Sequence, residues 1–214
     1  MRIGVILALF LSLITMGLSP AVAEPLTSTY HGQRNSAFMR AFGVAQPPYG
    51  FVQFCETQPQ YCDGRWRGND RFDATPVRLS ELDEINRYVN AAIRPVTDMA
   101  AYGVEEYWTV PASAGDCEDY VLLKRELLMA RGWPESALLV TVVRDEHGDG
   151  HAVLTARTTQ GDFILDNKLS QVRIWNATPY QFVMRQSYVN PRAWVSLEET
   201  VVNSPVVTSG QTAR

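Results

Sequence analysis

Cys117, His151 and Asp166 are residue types that together can perform covalent acyl transfer, and they follow one another in the chain. Such chemistry needs a nucleophile, a base that deprotonates it and an acid that orients the base. Cys117 begins a predicted helix, whose positive end and free backbone N–H groups favour a thiolate over a thiol. Because an unperturbed thiol is only about 3% ionised at pH 7, this environment decides whether Cys117 is reactive.

The geometry of a predicted hairpin brings the histidine and the aspartate together. The sequence predicts strands over 151–157 and 162–166, joined by a turn at 158–161. In this register His151 lies diagonal to Asp166 on the same side of the sheet, within reach of a hydrogen bond between imidazole and carboxylate. A loop one residue longer or shorter would place the two side chains on opposite faces.

Each of these residues also has a structural interpretation. His151 can be a strand histidine with satisfied hydrogen bonds, Asp166 the first residue of a turn, and Cys117 a buried core thiol. His147, in a predicted turn at 145–150, is an alternative base, but no carboxylate on a strand faces it. The agreement of the hairpin register favours catalysis through His151.

Three carboxylates beside the cysteine, from Asp116, Glu118 and Asp119, oppose ionisation of the thiol. Negative charges around a developing thiolate raise its pKa. A protonated histidine, or a divalent cation held by the carboxylates themselves, would offset them. Alternatively, the acids only complement the positive end of the helix.

The chain has three cysteines, and two of them, Cys55 and Cys62, lie at the ends of an octapeptide that Pro59 bends. We predict a disulfide between them, worth about 2.5 kcal/mol on the loop-entropy estimate. The competing interpretation is half of a metal site, but no second cysteine pair or nearby histidine completes one. Cys117 is then the odd thiol.

Apolar spacing predicts one helix from an N-cap at Ser80 to Pro95 and a second from Cys117 to Gly132. Residues 42–76 are rich in Gly, Pro and aromatic residues without a period, which indicates an ordered loop region. The predicted strands cover 137–143, 151–157, 162–166, 172–175 and 182–189. Helices followed by an antiparallel meander predict an α+β domain with the helices packed on the sheet.

The N-terminus predicts export. Residues 1–23 combine a positive start, a short apolar run and small residues before a cleavage point, which is typical of a signal peptide. The remaining chain divides into one domain at 24–199 and a flexible tail at 200–214. The whole chain has a net charge of −4, and no Lys/Arg run follows the signal peptide, so no nucleic-acid partner is expected. These features predict a periplasmic protein that can hold a disulfide.

Several motifs together resemble one family. Residues 115–120 (GDCEDY), 150–154 (GHAVL) and 165–167 (LDN), preceded by a Tyr-Trp pair at 107–108, are similar to the bacterial transglutaminase-like cysteine peptidases. This family includes the periplasmic LapG-type proteases. The resemblance covers roughly 42 to 194, and the three blocks in order are a specific signal, whereas any one of them alone is weak.

The resemblance implies a papain/transglutaminase-like thiol hydrolase fold with Cys117 as nucleophile, His151 as base and Asp166 as orienting acid. We expect the backbone N–H of Cys117 to contribute to an oxyanion site that Trp108 lines.

LapG-type members also use calcium, so the resemblance implies Asp116, Glu118 and Asp119 as ligands of a Ca²⁺ ion. It further implies a protein substrate, such as a secreted or surface adhesin, and an inner-membrane regulatory receptor.

The leading hypothesis is therefore a periplasmic cysteine endopeptidase with a Cys-His-Asp triad and a dependence on calcium. One alternative is a transglutaminase or amidase that forms the same acyl-enzyme but passes it to an amine, or releases it from a small amide. The other is a non-catalytic calcium-binding module with a buried Cys117.

Overall fold

The computed structural model describes residues 36–63 and 71–199. The predicted signal peptide at 1–23 and the predicted tail at 200–214 lie outside these described residues. In the part of the chain that is described, no helix is long and apolar enough to cross a membrane.

The described residues contain four α-helices, which supply one layer of the domain. They are α1 (Tyr49–Thr57), α2 (Pro76–Ala92), α3 (Asp98–Tyr102) and α4 (Cys117–Ala130). Short 3-10 turns cover Pro59–Tyr61, Glu135–Ala137 and Trp175–Ala177. The predicted second helix is confirmed, because α4 begins at Cys117 as expected.

Helix α2 forms one wall of the core because Leu82, Ile85 and Val89 recur at helical spacing and are buried. The predicted N-cap at Ser80 is wrong. Thr75 is the N-cap, its hydroxyl accepts a backbone N–H three residues on, and a proline fills the first helical position. Ser80 lies inside the helix, where its hydroxyl donates to a carbonyl of the preceding turn.

The predicted loop region at 42–76 is wrong in its middle part, because helix α1 lies there. Phe51, Phe54 and Cys55 share one buried face of this helix. Its ends carry no side-chain cap, acidic first turn or basic last turn, so the usual start and stop signals are absent from its sequence.

Seven strands form one antiparallel sheet, and two further two-residue strands pair in parallel. The sheet strands are β1 (Gly43–Ala45), β4 (Leu138–Arg144), β5 (Gly150–Thr158), β6 (Gly161–Leu165), β7 (Arg173–Ile174), β8 (Gln181–Gln186) and β9 (Trp194–Ser196). The parallel pair is β2 (Arg94–Pro95) with β3 (Ala114–Gly115).

The strand order is β1-β9-β8-β4-β5-β6-β7, so the predicted meander is only partly right. Strands β4 to β7 do form a meander. Strand β8 then crosses to the far side of β4, and β9 and β1 extend the sheet there. Strand periodicity specifies which face a side chain occupies but not which neighbour a strand pairs with, which explains the error.

Side chains of β5 alternate between two apolar clusters, one on each face of the sheet. Ala152 and Leu154 belong to the larger core, which α1, α2 and α4 cover. Val153 belongs to a smaller cluster on the other face, together with Tyr180 and Phe182. The sheet therefore holds the start of α4 against β5 while a second layer packs behind it.

The predicted disulfide is confirmed. Cys55 on α1 is bonded to Cys62, just past the turn at Pro59–Tyr61, and both residues are buried in the larger core. Cys117 carries the free thiol and is partly exposed.

Replacing the disulfide with a Cys55→Ala/Cys62→Ala pair is expected to lower the free energy of unfolding by about 2.5 kcal/mol, since the closed loop no longer restricts the unfolded chain. Urea unfolding at pH 7 measures this. Cys117→Ala is the matched control and should change the value by much less. An unchanged midpoint in the double variant would contradict the prediction.

Candidate active site

Cys117 is the first residue of α4, and Asp116 is the N-cap before it. The backbone N–H of Ala152 on β5 lies near the sulfur of Cys117 and acts to lower the pKa of the thiol. His151 is the chain neighbour of Ala152. The start of α4 therefore packs against β5 near its first residues.

His151 and Asp166 are joined as the hairpin register predicts. Leu154 lies opposite Leu165 in the β5–β6 pair, so the predicted register is confirmed. His151 Nε2 lies 2.8 Å from Asp166 Oδ1, and both side chains are buried. Asp166 holds one ring nitrogen and leaves Nδ1 for a second partner.

Asp166 also begins a turn, because its Oδ1 accepts the backbone N–H of Lys168 at 2.9 Å. The structural and catalytic interpretations of this residue therefore coexist. His147, the alternative base, is exposed on the β4–β5 turn, and its ring nitrogen lies 3.9 Å from Asp145. This separation is too long for a hydrogen bond, unlike the 2.8 Å between His151 and Asp166.

Two asparagines on α2 fix the backbone of Asp166 where β6 ends. Asn86 Oδ1 accepts the N–H of Asp166 at 3.0 Å, and Asn90 Nδ2 donates to its carbonyl at 2.9 Å. Sequence reasoning missed both. The signal was present, because a buried asparagine beside Leu82, Ile85 and Val89 interrupts an apolar face and needs a polar partner.

Tyr180 is a second residue that sequence reasoning missed. Its hydroxyl donates to Asp166 Oδ2 at 2.5 Å, and its ring meets the His151 ring edge-on with centroids 5.7 Å apart. Burial and the neighbouring Asp166 raise the pKa of Tyr180, so it acts only as a donor. Nothing in its local sequence distinguishes it from a packing tyrosine.

Hydrogen bonds keep Asp166 ionised although it is buried. Burial favours the neutral acid, but hydrogen bonds from His151, Tyr180 and the Lys168 N–H outweigh it and lower the pKa of Asp166 below its usual 3.8. The lowered pKa therefore keeps the carboxylate negatively charged behind the imidazole at neutral pH.

Three carboxylates cluster on the other side of the cysteine. One oxygen from each of Asp98, Asp116 and Glu118 lies within 4.8 Å of the others, which is a spacing that a metal ion can bridge. Asp98 Oδ1 and Asp116 Oδ1 are buried and have no hydrogen-bond partner among the residues that the structure describes. The backbone N–H of Asp98 donates to Asp116 Oδ2 at 3.2 Å.

The group contains two of the three predicted ligands and adds Asp98 from α3. Asp119 is buried next to it but lies outside the group. Its Oδ1 accepts the N–H of Thr109 at 2.9 Å, and Gly115 leaves room for its carboxylate, because a Cβ there would lie 2.3 Å from Oδ2.

These acids hold the thiol in its neutral form. Burial, and then the charge of Asp116, raise the pKa of Glu118 to about 9. Burial, and then the charge of Glu118, raise the pKa of Cys117 well above its usual range. The thiol lies 3.1 Å from Glu118 Oε2 and donates to it. The flanking acids therefore oppose ionisation of the thiol, as the sequence predicts.

Trp108 is buried against helix α1, and its indole N–H is already engaged in a hydrogen bond. Its Nε1 donates to Glu106 at 2.9 Å, and its ring meets Phe51 edge-on at 5.7 Å. Gly50 allows this approach, because a Cβ there would lie 2.5 Å from the indole. Its role at an oxyanion site stays a prediction.

The chain matches the family described as bacterial transglutaminase-like cysteine proteinase over residues 41–202. It belongs to this family. The match includes both the cysteine helix and the His–Asp hairpin, and the mixed arrangement of helices on an antiparallel sheet confirms the predicted fold class. No curated protein sequence matches the chain significantly.

Solved structures of Legionella pneumophila LapG are similar to this family member. One is 25% identical with a TM-score of 0.44, and the similarity covers 53% of this chain and 65% of that protein. A calcium-bound form is 24% identical with a TM-score of 0.48, covering 70% of this chain and 92% of that one. The chain thus spans just under two thirds of the first of these structures.

Removing the Tyr180 hydroxyl with Tyr180→Phe is expected to slow alkylation of Cys117 by iodoacetamide about tenfold at pH 7. A hydrogen bond to a charged group is worth about 1.5 kcal/mol or more, and its loss leaves Asp166 and His151 less firmly oriented. Tyr88→Phe, on the exposed side of α2, is the control.

The same variant has a signature in its dependence on pH. The lowered pKa of Asp166 stabilises the fold above the unfolded pKa, and this contribution is lost as pH falls through the folded pKa. With one donor removed, the folded pKa of Asp166 is lowered less, so in urea unfolding the loss should be smaller and should be complete at a higher pH. Parallel pH profiles for Tyr180→Phe and the parent would contradict this role.

Proposed function

We propose that the chain is a cysteine endopeptidase with Cys117 as nucleophile, His151 as general base and Asp166 as orienting acid. The buried hydrogen bond between His151 and Asp166, beside a cysteine at a helix start, carries the proposal. Membership of a cysteine proteinase family supports it.

The residues fit the steps of peptide hydrolysis. Asp166 accepts Nε2–H, so Nδ1 of His151 takes the proton from Cys117, and the thiolate attacks the peptide carbonyl carbon. Free backbone N–H groups at the start of α4 can bind the resulting oxyanion. The imidazolium then protonates the amine as the C–N bond breaks. A water, deprotonated by His151, hydrolyses the thioester and releases the second product.

We also propose that Asp98, Asp116 and Glu118 hold a calcium ion. Calcium prefers carboxylate oxygens, and two buried oxygens of this group have no hydrogen-bond partner, so the residues fit a cation. The ion would supply positive charge that offsets the carboxylates opposing the thiolate. Asp119 then supports the site from outside by holding the backbone of Thr109.

The substrate we propose is a protein of the cell envelope. A signal peptide at 1–23 would bring the enzyme to the periplasm, where secreted and surface proteins pass. The resemblance noted in the sequence favours an adhesin-like substrate and an inner-membrane receptor as regulator. Comparing the surface proteins of cells that carry the parent or Cys117→Ala enzyme would identify the uncut substrate.

The rate of Cys117 alkylation against pH tests the triad. With calcium present we expect reaction to persist below pH 7 and to fall at least tenfold in His151→Ala, because the base and its positive charge are lost. Excess chelator should also slow it, since the acids then hold the thiol neutral. His147→Ala is the control and should react like the parent.

A thiol that reacts only after unfolding would contradict the peptidase proposal, because Cys117 would then be a structural residue. Equal rates for His151→Ala and His147→Ala would remove His151 as the base.

Calcium at a hundred times its Kd should raise the free energy of unfolding by about 2.7 kcal/mol. Asp98→Asn should weaken calcium affinity at least tenfold, since it removes one charge while keeping an acceptor for the Tyr107 N–H. Thermal unfolding with and without calcium measures both.

Glu146→Gln is the matched control. Glu146 belongs to a second acidic group, with Asp145 and His147, in which Glu146 and His147 are exposed and Asp145 is paired with Lys168 at 2.8 Å. If Glu146→Gln lost the calcium response while Asp98→Asn kept it, the cation would lie at the β4–β5 turn instead.

A further inference from the structure

A groove of about 680 Å³ lies between α1 and the segment from Met99 to Trp108, and we call it the α1 groove. Its volume is that of a typical ligand pocket, large enough for more than one side chain. Cys117, His151 and Asp166 do not line it, so it is separate from the reacting groups. It therefore needs an explanation of its own.

The α1 groove exposes apolar side chains that the other described residues leave uncovered. Its apolar lining combines the exposed side chains of Tyr49, Met99, Val104 and Tyr107 with the buried side chains of Phe54 and Trp108. Tyr49 is 72% exposed, Met99 54% and Tyr107 49%. Exposed apolar side chains that line one concave groove give another molecule an apolar surface to contact.

The charges of the lining have one sign. Glu56, Glu105 and Glu106 are all exposed there, and no lysine or arginine belongs to the described lining. Glu106 is engaged by the Trp108 N–H, whereas Glu56 and Glu105 face solvent as a pair of acids at the rim. A partner that complements this rim carries positive charge next to its apolar group.

The groove is physically joined to the proposed active site. Met99 follows Asp98, whose carboxylate accepts the Tyr107 N–H and belongs to the acidic group beside Cys117. Thr109, next to Trp108, donates its N–H to Asp119 on α4. The wall of the groove and the acids at the cysteine are thus built from one short segment, which places a molecule in the groove close to the start of α4.

We propose that the α1 groove binds an extended segment of the protein substrate, away from the scissile bond, in which an apolar or aromatic side chain lies beside a lysine or arginine. The proposal rests on the proposed peptidase function. An extended peptide fits an open groove of this volume, its apolar side chain would contact Met99 and Tyr107, and its cation would meet Glu56 and Glu105. Binding there would hold the substrate while its scissile bond reaches Cys117.

Peptide binding to the Cys117→Ala protein tests this without cleavage. Three five-residue peptides serve as probes: one with phenylalanine between two lysines, one with glutamates replacing the lysines, and one with glycine replacing the phenylalanine. We expect the first to shift NMR amide signals of the groove and to bind at least tenfold more tightly than the other two. Calcium is kept present throughout.

Two variants with matched controls locate the binding. Glu56→Lys/Glu105→Lys should weaken binding of the lysine peptide at least tenfold and strengthen binding of the glutamate peptide. Tyr107→Ala should weaken binding of the lysine peptide severalfold. Asp73→Lys and Tyr88→Ala, at exposed positions outside the groove, should bind the lysine peptide like the parent.

Unchanged binding in the groove variants, or signal shifts that lie elsewhere, would overturn the proposal. Self-association that the groove variants abolish, without peptide binding, would show that a second copy of the chain is the occupant and would also overturn it. Alkylation of Cys117 in the parent separates the two hypotheses. Slow alkylation with intact peptide binding would count against the peptidase, and fast alkylation with no peptide binding would count against the groove.

Discussion

Burial of negative charge at the start of α4 is the constraint on which the site depends. Asp98, Asp116 and Glu118 place carboxylate oxygens close together away from water, and two of those oxygens have no partner. Buried charges of one sign are costly unless something compensates them. Protonation of Glu118 compensates in part, whereas its ionised form accepts the hydrogen bond of the thiol and holds Cys117 neutral. A cation compensates without a proton, so the same constraint links metal binding to the state of the nucleophile.

At His151 and Asp166, in contrast, hydrogen bonds within the fold stabilise the buried negative charge. Asp166 is also a buried carboxylate, but it receives donors from His151, Tyr180 and the backbone of Lys168, and its pKa falls. Asn86 accepts the backbone N–H of Asp166. Neither the charge nor the position of Asp166 therefore needs an outside ligand. The proposed base is therefore pre-organised by the fold, whereas the acids beside Cys117 control the ionisation of the proposed nucleophile. Such a division lets a small change in charge govern reactivity without moving the base.

Features that depend on local period or on sequence distance were predictable, and those that depend on long-range contact were not. The register that joins His151 to Asp166 follows from the two-residue period of strands and the length of one turn. The disulfide follows from spacing. Asp98 could not be assigned, because only the packing of α3 against the start of α4 brings it near Glu118. Tyr180 depends on β8 crossing to the far side of β4, which no local pattern specifies.

The segment from Asp98 to Thr109 connects the acids, Trp108 and the α1 groove through direct contacts. Asp98 bonds the backbone of Tyr107, and Asp119 bonds that of Thr109, so the conformation of the segment and the ionisation of these acids depend on each other. By thermodynamic linkage, a cation that favours one arrangement of Asp98 also changes the affinity of the groove, and a ligand in the groove changes the affinity for the cation by the same factor. The proposed substrate site and the proposed calcium site therefore form one coupled unit at the cysteine.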